Sequence, residues 1–173
     1  MQPLRAPIFV QLELTEGCNH RCFYCSNPFP HKRNPEFLSP EEIKRSLDQL
    51  LENEVFSVVL TGGEPFLNRD GLHFALDYLK GESMEVYVNT NLSLSLYGND
   101  IKKLQTADNV LIAFHSLDKD KFNKIAAANS YDQVLRNLRI LSNEDVKFGI
   151  NQVVTQENKD QVYSTGKYLH SQF

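Results

Sequence analysis

The sequence predicts an α/β fold on a parallel sheet, about five β/α units long, and three observations predict it. Strand-like runs rich in Val, Ile, Leu and Phe alternate with amphipathic helical stretches from one end to the other. The connections are short, which calls for right-handed crossovers and parallel neighbours. The glycine pair and all the cysteines fall immediately after strand-like runs, where α/β folds collect their ligands. A barrel and an open doubly wound sheet both satisfy these observations.

Residues 8–15 are rich in strand formers and run into Glu16, Gly17 and the cysteines. Pro28, Pro30 and Pro35 keep the next stretch irregular. Its Lys32 and Arg33 are read as a solvated loop, or as a docking patch for an acidic electron carrier. Ser39 followed by Pro40, Glu41 and Glu42 is a helix start, with an N-cap serine, proline at the first position and acids near the dipole's positive end. Ile43, Leu47, Leu50 and Leu51 give that helix an apolar face. A second strand over 55–60 is apolar on both sides, as a buried parallel strand is.

A helix over 72–80 is closed by Gly81, a third strand covers 84–91, and a short helix covers 100–106. A fourth strand spans 110–115. Two helical pieces, 119–128 and 132–141, are separated near Asn129. A fifth strand over 148–154 and a helix over 158–170 complete the pattern, with Asn158 read as a helix cap.

At 173 residues, with 41% hydrophobic and 23% charged residues, the chain has the composition of one globular domain. A net charge of −4 without runs of like charge argues against a nucleic-acid partner. The apolar runs are strand-sized, so no membrane span is expected, and the first residues lack the apolar core of a signal peptide. Unpaired cysteines then place the protein in a reducing cytoplasm.

All three cysteines, Cys18, Cys22 and Cys25, lie within eight positions. Their number is odd and their spacing suits no disulfide set. A loop of this kind can wrap a small iron–sulfur cluster, with three thiolates leaving one iron open. His20 or His31 would instead complete a Cys3His zinc site, and unconnected buried thiols are the third reading. His20 is expected to face outward. Gly62 and Gly63 let a ligand lie against the backbone, offering carbonyls to an amine or amides to a carboxylate. Glu64 adds charge, Pro65 ends the strand, and His115 at a strand end is read as a hydrogen-bonded structural histidine or a rim contact.

Cys18-x3-Cys22-x2-Cys25 with Tyr24 before the last cysteine, followed after the next strand by Gly62-Gly63-Glu64-Pro65, resembles the radical S-adenosylmethionine (radical SAM) superfamily. The resemblance implies a partial parallel (β/α) barrel in which residues 1–173 form the core domain, its C-terminal part missing. It implies that the three cysteines hold a [4Fe-4S] cluster whose fourth iron is chelated by S-adenosylmethionine. Reductive cleavage of that ligand would give a 5′-deoxyadenosyl radical. Gly62, Gly63, Glu64 and Pro65 would receive the methionine amino group, Tyr24 would border the adenine, and Asn91 and Ser116 would meet the ribose or carboxylate.

The implied partners are a peptide or small-molecule substrate and a low-potential electron donor of the flavodoxin or ferredoxin type. The stretch from Ser116 to Asn158 is similar to the branch of peptide and protein maturases and related cofactor-biosynthesis enzymes. A glycyl-radical activase and an incomplete cluster-binding domain are the other readings. No cysteine follows Cys25 for an auxiliary cluster, and Ala126 stands where many members carry an arginine for the carboxylate, with Arg136 or Arg139 as substitutes.

Overall fold

A computed structural model describes residues 6–26 and 35–173. Pro28, Pro30, His31, Lys32 and Arg33 lie outside the described residues. Five strands, β1 (Phe9–Glu13), β2 (Ser57–Thr61), β3 (Glu85–Thr90), β4 (Asn109–Ala113) and β5 (Phe148–Asn151), form one sheet. They are all parallel and stand in the order β1-β2-β3-β4-β5.

That order decides between the two architectures the sequence allows. A doubly wound sheet reverses direction at a switch point and carries helices on both faces. Here every crossover moves one strand onward, so the helices α1 (Pro40–Glu52), α2 (Arg69–Tyr78), α3 (Gly98–Leu104), α4 (Lys119–Ala126), α5 (Tyr131–Asn143) and α6 (Val162–Gln172) cover one face. The fold is a partial barrel of five parallel strands.

The core lies between sheet and helices. Val58, Leu60, Val86, Val88, Val110 and Ile112 point into it from the strands and meet Ile43 and Leu47 of α1, Leu72 and Leu76 of α2, and Leu138 and Leu141 of α5, all buried. Side chains alternate along each strand. The register therefore sets Gln11, Val59, Tyr87 and Asn109 in one row on the inner face, and Glu13, Thr61, Asn89, Leu111 and Gly149 in the next. The nearest neighbours of a Cβ built on Gly149 would be Asn109 and Leu111, as that register requires.

Local signals explain the elements. Ser39 caps α1 with a full capping box, its hydroxyl accepting from Glu42 N–H while the Glu42 carboxylate accepts from Ser39 N–H at 2.9 Å. Pro65 starts a 3-10 turn, Pro65–Asn68, which leads straight into α2 and brings that helix forward from the expected 72. The break between α4 and α5 is a left-handed Ala127, φ 46°. Asn158 does not cap through its side chain. It is fully buried and donates to His115 O and Val153 O at 2.8 and 2.9 Å.

Candidate functional site

β1 delivers the cysteine loop to the carboxyl-end rim of the sheet, and the loop is seated on the turn that follows β2. Gly63 N–H donates to Thr15 O and Glu64 N–H to Gly17 O, both at 2.8 Å. Thr15 Oγ1 accepts from Gly17 N–H and donates to Glu36 O, closing the approach to Cys18.

The two glycines are dictated by this seat. A Cβ on Gly63 would stand 2.1 Å from Gly17 O, and one on Gly62 would stand 2.4 Å from Thr15 O, where φ is also +145°. Protein backbone, rather than a ligand alone, is what approaches them. The Gly63 amide is spent on the loop, while among the described residues nothing donates to the carbonyls of Gly62 and Gly63. Of the two chemistries expected for this turn, the carbonyls stay open to an amine, while the Gly63 amide is already taken by Thr15 O.

Glu64 is buried and faces inward. Its carboxylate accepts from Phe66 N–H at 3.2 Å, Thr90 Oγ1–H at 2.7 Å and Asn91 N–H at 2.8 Å. Burial pushes its pKa up to about 7, against the pull of those donors. Pro65 is buried beside it. Asn91 carries the connection onward, its Nδ2 donating to Asn19 Oδ1 at 2.9 Å and lying 3.8 Å from Cys18 Sγ. Glycine turn, third strand and cysteine loop are thus one bonded unit.

The thiols are unpaired, with Cys18 and Cys22 half-buried and Cys25 exposed. Burial raises the Cys18 thiol to about 11, and the charges of Glu64, Cys22 and Cys25 push the same way. Cys22 is raised too, by burial first. Among the described residues no three His, Cys, Asp or Glu side chains converge on a single-ion site. A tetrahedral zinc would draw its sulfurs to about 2.3 Å of one point.

His20 corrects an expectation: it is buried, 4% exposed, rather than outward, and its Nε2 has no hydrogen-bond partner. Burial lowers its pKa to about 4. Three soft thiols on one loop, with a buried His20 ring nitrogen that has no hydrogen-bond partner among the described residues, are a donor set whose chemistry fits an iron–sulfur cluster.

Tyr24 lies against His115, its hydroxyl 2.6 Å from Nε2 and the rings edge-to-face. His115 is buried and hydrogen-bonded, in keeping with its structural reading, and burial lowers its pKa to about 4. Ser116 is fully buried. Its hydroxyl donates to Gln161 Oε1 at 3.0 Å and accepts from Asp118 N–H, so it is spent inside the fold. Arg136 and Arg139 are exposed on α5, Arg136 reaching Gln133 of the same helix. Ala126 O instead receives Arg21 N–H at 3.0 Å, anchoring the loop to α4.

Thr15, Asn19 and Ser93 escape sequence reasoning. Asn19 Nδ2 donates to Ser93 Oγ at 2.7 Å, and nothing in the residue types announces that pairing.

A sequential parallel half-barrel with a three-cysteine loop seated on a Gly-Gly-Glu-Pro turn places the chain among α/β proteins of the partial-barrel class. The family model of the Radical SAM superfamily matches residues 12–169, and the chain belongs to that superfamily. It is 33% identical over 159 residues to a probable GTP 3′,8-cyclase of Sulfurisphaera tokodaii, covering 88% of this chain and 49% of that protein. It is 32% identical over 164 residues to the mycofactocin maturase MftC of Mycolicibacterium smegmatis, covering 92% and 41%. Streptococcus suis SuiB bound to its precursor peptide SuiA superposes with a TM-score of 0.82 at 19% identity, over 95% of this chain and 37% of SuiB. The chain spans about half the length of the first of these relatives, and less of the others.

Proposed function

We infer that the protein is a radical SAM enzyme acting on a peptide substrate, with Cys18, Cys22 and Cys25 holding a [4Fe-4S] cluster. The observation that carries this reading is the seat of the three-cysteine loop on the glycine turn through Gly63 N–H and Glu64 N–H. When bound, cluster and S-adenosylmethionine supply one-electron reductive cleavage and hydrogen abstraction. The chain's own residues fix where this happens. Gly62 and Gly63 offer carbonyls to the ligand's amino group, and Tyr24 walls the adenine side. Glu64 and Asn91 hold the loop against β3.

Peptide is favoured over a small metabolite by two supports. The maturase relative and the peptide-bound neighbour share this fold, and the inner sheet face presents Gln11, Asn89, Asn109 and Asn151, amides complementary to a polypeptide backbone. The chain is read as a core domain of the superfamily, acting with a flavodoxin- or ferredoxin-type donor in the cytoplasm. Among the described residues no helix is long and apolar enough to cross a membrane.

Electron paramagnetic resonance of anaerobically reconstituted, dithionite-reduced protein tests this. A [4Fe-4S]⁺ signal that changes on adding S-adenosylmethionine is expected. Cys22→Ala should fold but bind less iron and sulfide, and full loading of that variant would remove Cys22 from the ligand set.

A further inference from the structure

The connection after β3 folds Asn91 back onto the cysteine loop. Asn91 is buried, and its backbone N–H is spent on the Glu64 carboxylate at 2.8 Å. Leu92, with φ 53°, turns the chain so that Ser93 N–H reaches Asn91 Oδ1 at 2.9 Å. A backbone N–H can only donate, so the amide atom it meets is the oxygen, and Nδ2 faces the loop. Ser93 Oγ–H donates to the same oxygen at 2.6 Å and accepts from Asn19 Nδ2–H at 2.7 Å. Asn19 Oδ1 in turn accepts from Asn91 Nδ2–H at 2.9 Å. The three side chains close a ring in which every donor runs the same way round. One Nδ2 proton of Asn91 is left outside that ring, and its acceptor is Cys18 Sγ at 3.8 Å.

We propose that Asn91, aimed by Ser93 and Asn19, donates a hydrogen bond to the Cys18 sulfur and thereby raises the reduction potential of the cluster. This role rests on the cluster reading given above. A hydrogen bond to a ligand sulfur draws off charge and favours the reduced, more negative state. Cys18 already has His20 N–H at 3.4 Å from its own loop, and Asn91 adds a donor from another element, the end of β3. With its oxygen and both amide protons engaged inside the fold, Asn91 serves a sulfur ligand rather than the ribose or carboxylate of S-adenosylmethionine. Ser93 and Asn19 are positioning residues behind it.

The test is a potentiometric titration of the reconstituted protein without S-adenosylmethionine, followed by electron paramagnetic resonance. Asn91→Ala should load the same iron, but at a fixed potential its reduced-to-oxidised ratio should fall roughly threefold. That is a midpoint about 28 mV more negative, at about 59 mV per tenfold for a one-electron couple. Asn19→Ala opens the ring but leaves Ser93 N–H aiming the amide, so its midpoint should stay at the wild-type value. An unchanged midpoint in Asn91→Ala at equal loading would overturn the proposal while leaving the cluster assignment intact. An equal shift in Asn19→Ala would overturn it too, since it would mark a loosened loop rather than a lost bond. A second measurement keeps Asn91 in place and so does not depend on how well Asn91→Ala folds or loads. With asparagine labelled by nitrogen-15 at the side-chain amide, pulsed electron paramagnetic resonance of the reduced cluster should show a weakly coupled nitrogen-15 in both wild type and Asn19→Ala. Its absence from the wild type would overturn the proposal. A wild-type protein that takes up no cluster would instead overturn the reading beneath it, and the proposal with it.

Discussion

At the scale of single residues, the glycine turn is a joint between two pieces of backbone. The sequence invites the expectation that Gly63→Val weakens only S-adenosylmethionine binding. With Gly17 O 2.1 Å from the added carbon, the cysteine loop itself must move. Gly63→Val should therefore lose cluster loading as well as ligand affinity, and cost roughly 3 kcal/mol of stability in a denaturant titration. Glu64 gives a second prediction. Its folded-state pKa of about 7 lies above the 4.5 of a free glutamate, so the native state holds the proton more tightly. Its contribution is complete below pH 4.5 and is lost as pH rises to about 7, roughly 3 kcal/mol at about 1.36 per pH unit. Unfolding free energy measured across that window should fall with pH in the wild type, and Glu64→Gln should lose that slope. The residue types announced that both positions matter. What they could not announce is the direction each faces, since a glycine beside a ligand and a glycine beside a carbonyl are spelt alike.

At the scale of elements, caps and buried amides hold the helices to the rim. Ser39→Ala removes one half of the α1 capping box and should cost about 1 kcal/mol in a thermal or chemical melt. Asn137, fully buried on α5, donates to Leu92 O and Leu94 O at 2.8 Å each and pins the loop after β3, where Leu92 has φ 53°. Asn137→Ala would leave both carbonyls unpaired beside a left-handed leucine, a loss of about 2 kcal/mol. The α1 start was legible because its signals are local: Ser39, Pro40 and Glu42 all act within one turn. Asn137 and Asn158 were not, because an amide that ties one element to another leaves no pattern in its own neighbourhood. The same reason hid the 3-10 turn at Pro65, where a proline that ends a strand and one that opens a turn look identical.

At the scale of the whole molecule, strand alternation revealed the parallel sheet, but only the strand order separates a half-barrel from a doubly wound sheet. Among the described residues β1 and β5 each have a single neighbour in the sheet. Backbone amides in β2, β3 and β4 should accordingly resist hydrogen exchange up to the global limit, with β5 opening first. A groove of about 540 Å³ runs beside β5, lined by Val146, Phe148, Ile150, Leu169 and Phe173, away from the cysteine loop. Sequential order also governs how the protein is made. Each strand pairs with the one synthesised just before it, so the sheet can grow unit by unit as the chain leaves the ribosome. The cysteine loop emerges with the first unit, gains its seat at Gly63 with the second and its tie to Asn91 with the third, and is anchored at Ala126 only with the fourth. The rim that carries the thiols is thus put together from four successive units, its anchor at Ala126 arriving with the fourth.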